Sequence, residues 1–111
     1  MDYQPVLGKV IASRDLDFTG PSGVPETATV SIGEPVRPDS LGPWRCPYQI
    51  WTGSFERIFA MAGEDSMQAL ILTLHIIGTE IAALAKKHNG VFTWCGGAEL
   101  GLPTLPNLDL D

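Results

Sequence analysis

The stretch from Asp65 to Gly90 constrains this chain most, because it carries both ends of one long helix and more apolar surface than one buried side can use. Asp65 is placed to accept from the free backbone N–H groups of a first helical turn, and Gln68 can reach back as in a capping box. Glu64 and Asp65 add negative charge at the positive end of the helix dipole. At the other end Lys86, Lys87 and His88 face the open carbonyls, and Asn89-Gly90 tolerates the left-handed conformation that ends helices. A helix over about 66–88 follows.

At 100° per residue, Met67, Leu70, Ile71, Leu74, Ile77, Ile81 and Leu84 share one broad face with Gly78 and Ala85, and the pattern assigns that face to the core. Ala69, Leu72, Ile76 and Ala83 form a second stripe. Gln68, His75, Thr79 and Lys86 separate the two on one flank, Thr73 and Glu80 on the other. Leaving Leu72 and Ile76 in water would forgo about 1.5–3 kcal/mol each relative to burial. The second stripe therefore asks for cover, from the chain's own C-terminal arm or from a second copy, although partly exposed apolar residues are also ordinary.

Everything upstream of the helix has the period of sheet. Lys9–Phe18 alternates, with Val10, Ala12, Leu16 and Phe18 on one side and Arg14 discordant among them. A bulge, an edge position with a carboxylate partner, or a packed stem with its head in water would each accommodate that arginine. Thr27–Gly33, Trp44–Trp51 and Phe55–Ala62 repeat the alternation, and Thr52-Gly53-Ser54 makes a hairpin loop between the last two. Pro47 cannot donate to a ladder, which suggests an edge, a bulge or an outward position. The segment from Glu34 to Pro43 is proline-punctuated and reads as a long ordered loop.

Together these patterns predict an α+β domain over residues 1–90: a four-stranded antiparallel meander with one long helix packed on one face. Residues 91–111 are expected to form an extended C-terminal arm, with Val91–Cys95 able to add a short strand, packed on the domain or on a partner subunit. The second stripe and the arm place an oligomer interface, most simply a dimer's, at Leu72, Ile76, Ala83, Leu102 and Leu105.

The chain has 111 residues and a formal net charge of −6, which suits one hydrophobic core and disfavours nucleic acid or anionic membrane as partners. Thr73, His75, Thr79 and Glu80 interrupt the helix as a membrane span. The opening residues lack the pattern of a secretion signal, so a cytoplasmic location is expected. Cys46 and Cys95 form no paired motif, are expected as free thiols, and with His75 and His88 lack the spacing of a structural zinc site.

Three segments in order, Ile32-Gly33-Glu34-Pro35, Trp44-Arg45-Cys46-Pro47-Tyr48-Gln49-Ile50 and Ala62-Gly63-Glu64-Asp65-Ser66-Met67-Gln68-Ala69-Leu70, resemble a group of small bacterial proteins known as a domain of unknown function. The likeness runs from about Val10 to Lys87 and is most distinctive at the helix start. It implies a bacterial source and carries over no activity or catalytic residue.

Chemistry finds little support in the residues. The carboxylates are scattered, Gly96-Gly97 lacks the lysine and helix of a phosphate loop, and no catalytic residue, metal or cofactor is assigned. The composition favours a binding surface at the proline-rich loop and its neighbours, Arg37, Asp39, Trp44, Arg45 and Trp51, with Arg57 nearby, since tryptophan and arginine are enriched in binding hot spots. Trp44 could equally plug one end of the core. The reading is a non-catalytic protein-binding or self-associating module, of immunity or adaptor type. The alternative is a small enzyme or ligand-binding protein with a pocket between helix and sheet, using Cys46, Tyr48 and His75.

Overall fold

The computed structural model describes residues 5–103. Five strands, β1 (Val10–Thr19), β2 (Pro25–Gly33), β3 (Trp44–Trp51), β4 (Glu56–Gly63) and β5 (Val91–Thr93), surround one helix, α1 (Ser66–Lys87). The strands form a single antiparallel sheet in the order β4-β3-β2-β1-β5, so the domain is α+β. The fifth strand extends the four expected ones. It pairs only with Asp17, Phe18 and Thr19, and three residues are too few to show a period in sequence. What holds it is Phe92, buried 4.9 Å from the ring of Phe18.

Phe55, in the hairpin between β3 and β4, stands edge-on to Phe18 of β1 at 5.2 Å, so the sheet curls until strands from opposite sides meet at one end. His88 closes that end by stacking on Phe55 at 4.1 Å. Inside the curl lie Leu16, Phe18, Ala28, Val30, Ile32, Cys46, Tyr48 and Ile50, which is the alternate set expected of each strand.

Pro47 sits in a strand paired on both sides, not at an edge. Arg45 exchanges backbone hydrogen bonds with Val36, away from β4, while the Thr52 N–H donates across the hairpin to Phe55 O. By the two-residue period, the odd-numbered backbone groups of β3 therefore face the β2 side. The β2 ladder ends at Ile32–Tyr48, one residue before Pro47, so its missing N–H leaves no gap. Arg14 keeps its place on the inner side; the register shift lies upstream, between Val10 and Ala12.

The helix ends follow local chemistry. Asp65 Oδ1 accepts from the Gln68 N–H at 2.7 Å, and Gln68 Oε1 reaches back to the Glu64 N–H, one residue earlier than a capping box would place it. Asn89 takes the left-handed conformation at φ 52° and the Gly90 N–H returns to Ala85 O.

The helix is rotated from the expected phase. Its buried residues are Ala69, Thr73, Ile77, Ile81 and Leu84, whereas Met67 is 69% exposed and Ile71 45%. The expected core stripe is thus corrected by about half its width toward the second stripe, because Thr73 and Glu80 are not separators but sheet-facing groups with partners. Thr73 Oγ1 donates to Ala69 O at 2.9 Å and lies 3.2 Å from Cys46 O. By length and composition α1 could also cross a membrane; in this fold its sheet-facing side is packed.

Candidate interaction surface

Glu80 organises the side of the molecule where α1 crosses β4. Tyr48 is wholly buried, and its hydroxyl donates to Glu80 Oε2 at 2.5 Å. Arg57 Nε donates to the same oxygen at 2.9 Å. Burial, then the hydrogen bond and charge of Glu80, hold the Tyr48 phenol far above its ordinary range, so it stays a neutral donor. Arg57 also lies 5.0 Å over the ring of Phe59, which is edge-on to Tyr48. Glu80 was legible only as a polar interruption; the seven-residue spacing from Thr73, which puts both on one helical face, was the usable signal.

Around this network the helix and β4 run antiparallel, from Ala69 packed on Gly63 to Glu80 bonded to Arg57. Ala69 meets β4, Thr73 meets β3, and Ile77 and Leu74 face β2 and β1. Leu72 and Ile76 follow on the helical flank beyond Ala69, away from Leu74 and Ile77. Leu72 is 36% exposed, Ile76 packs partly on the core, and Phe59 of β4 is 44% exposed. Among the described residues β4 pairs with β3 alone. Because Phe55 faces β3, alternation turns the backbone groups of Glu56, Ile58, Ala60 and Ala62 outward. This edge carries no proline and no lysine, and its charged residues, Glu56 and Arg57, are confined to its first two positions.

The other expected residues are dispersed. Ala83 is exposed on α1, Leu102 packs on the core, and Leu105 lies outside the described residues. Arg37 Nε donates to Gly42 O and Asp39 Oδ1 accepts from the Leu41 N–H, so both brace the loop they belong to. Trp44 packs partly on the core and Arg45 is half-buried beside the loop. Trp51, 50% exposed, is at the far end of β3, about 23 Å away at strand rise. The five do not converge on one surface.

Nor do the groups named for an enzyme pocket. Cys46 and Tyr48 have no exposure, and burial raises the Cys46 thiol against a smaller opposing effect from Thr73. Cys46 lies at the Thr73 side of α1, while His75 is on the far side, against Gly78, Thr79 and residues 98–103. Cys95 is exposed in a turn closed by Trp94 and Gly97. That turn leads into the arm, which Arg14 holds by donating to Leu100 O and Gly101 O at 3.0 and 2.8 Å, with its guanidinium 3.9 Å from the Trp94 ring centre. No carboxylate is involved. Under the arm, an apolar cavity of about 160 Å³ separates Ala12, Val30 and Ile32 from Leu74 and Ile77.

No curated protein and no solved structure matches the chain. A family model described as Domain of unknown function (DUF6968) matches residues 12–104, which takes in β1 from Ala12, the other four strands, the helix and the described part of the arm. The chain belongs to that family.

Proposed function

We propose that this protein is a non-catalytic module that works by protein–protein contact, in the manner of an adaptor, and that its contact surface is the outer edge of β4 with the Leu72 flank of α1. The observation that carries this reading is the edge itself: an eight-residue strand that, among the described residues, pairs on one side only, with half-exposed Phe59 and Leu72 beside it. Strand addition to such an edge gains main-chain hydrogen bonds, and the flanking side chains lose apolar area to solvent only when a partner covers them. The dispersal of Cys46, Tyr48 and His75 adds weight to contact over chemistry. A cytoplasmic setting is part of the proposal and suits two free thiols.

The test is photo-crosslinking in the producing cell, with a benzophenone amino acid in place of Phe59 and, as control, of exposed Leu41. A discrete adduct from position 59 and none from 41 is the expected result. Failure of position 59 to give any discrete adduct would reject the binding surface.

A further inference from the structure

We infer that the cavity beneath the arm, remote from the β4 edge, is a binding site for a small carboxylic acid with an apolar body, its carboxylate held by Arg14. The cavity follows from how the helix is seated. α1 packs closely on β4 and β3, where Ala69 meets Gly63 and Thr73 reaches Cys46 O, and it stands off from β2 and β1. Helix and curled sheet therefore diverge on that side, and the wedge between them is the space of about 160 Å³. Val30 and Ile32 wall it from the sheet, Leu74 and Ile77 from the helix, and Leu102 and Pro103 close it over from the arm. Ala12, on the same face as its cross-strand partner Ile32, lines the cavity and is exposed, so the space opens to solvent there.

Size and charge together set the class of ligand. An apolar cavity of about 150 Å³ takes up benzene, so one six-membered ring or a short branched chain fits here. Among the described residues Arg14 is the one charged group in the cavity wall, and no carboxylate lines it. Its Nη1 serves both arm carbonyls, Leu100 O and Gly101 O, while no described residue accepts from Nε or Nη2. Those two nitrogens present parallel N–H groups on one edge of the guanidinium, the geometry that receives both oxygens of a carboxylate. The guanidinium is held by its stack on Trp94, so the pair of donors is oriented in advance. Apolar walls with one placed polar group are the composition of small-molecule sites. Because the arm both closes the cavity and shares Arg14, a bound acid also steadies the arm.

Benzoate and benzamide, alike in size and different in charge, are the probes. Titration calorimetry on the full chain should show one benzoate site with a Kd of about 1 mM or tighter, and benzamide weaker by at least about 10-fold. In NMR titrations the Arg14 Nε–H signal should move with benzoate and stay in place with benzamide, and amide exchange across 100–102 should slow with benzoate bound. Val30 is buried, so the larger ring of Val30→Phe has the cavity to enter and should abolish benzoate binding while the circular dichroism stays that of wild type. Should that variant fail to fold, the wild-type titrations decide alone. No benzoate binding up to about 10 mM, equal affinity for benzamide, an unmoved Arg14 signal, or binding that survives in folded Val30→Phe overturns the inference.

Discussion

The hydroxyl of Tyr48 and the carboxylate of Glu80 meet at 2.5 Å across the sheet–helix interface, and Arg57 completes the contact from the edge strand. One carboxylate oxygen thus ties β3, β4 and α1 together. Tyr48→Phe removes a donor to a charged acceptor and should cost about 1.5–3 kcal/mol. Glu80→Ala should cost more, since it strands a buried hydroxyl and frees Arg57 as well. The double variant should lose less than the sum of the two, because they share one bond. Urea unfolding measures all three, and strict additivity would show that the contact carries no stability.

The same pair sets an alkaline limit. The folded-state pKa of Tyr48 is raised, chiefly by burial and then by Glu80, so its contribution is fully present below the unfolded value of about 10 and is lost as pH rises from there through the folded value. Above pH 10 the unfolded chain releases the phenolic proton and the folded chain does not. Wild type should therefore lose stability faster than Tyr48→Phe, by up to about 1.4 kcal/mol per pH unit. The raised Cys46 thiol acts with the same sign from its own, lower range, but it is present in both proteins and cancels in the difference. Parallel stability–pH curves above pH 10 would contradict this account.

How much of this was legible depends on where each group finds its partner. Asp65, Gln68 and Asn89 act on backbone within a few residues, so both helix ends could be read directly. The phase of α1 could not, because Thr73 and Glu80 look like solvent-facing polar residues until Cys46 O, Tyr48 and Arg57 come to meet them. Apolar counting then turned the helix toward Met67 and Ile71. The alternation of β4 was visible, yet its edge position depends on strand order, which no local pattern encodes. Arg14 was visible as discordant, while its partners lie 86 and 87 residues downstream.

Gly63 marks the closest approach between sheet and helix. A Cβ there would sit 2.5 Å from Ala69 N and 2.9 Å from Ala69 Cα, and both are backbone atoms that no rotamer change can move. Gly63→Ala should therefore force α1 away from β4 and cost about 1–3 kcal/mol or more as overpacking. Thermal unfolding reads the loss. A melting temperature equal to wild type would mean the helix shifts freely, and the tight packing of Ala69 would then be of no consequence.

The arm is the part of the fold most dependent on a single side chain. Arg14 supplies donors to two successive carbonyls and a planar cation over Trp94, and Gly101, at φ +68°, lies so close to Trp94 that a Cβ would stand 2.3 Å from the ring. Arg14→Ala removes every one of those ties and should cost about 1–3 kcal/mol, whereas Arg14→Lys retains charge without the fork or the stack and should fall between. The loss should be local. Of residues 94–103, Gly101, Leu102 and Pro103 cover the apolar cavity bounded by Leu74 and Ile77, and none takes part in the pairing of β2 with β3. Hydrogen exchange should accordingly quicken across 94–103 in Arg14→Ala while the β2–β3 amides keep their protection relative to the global stability. Unchanged exchange in 94–103 would mean that Leu100 and Leu102, packed on the core, hold the arm without the arginine.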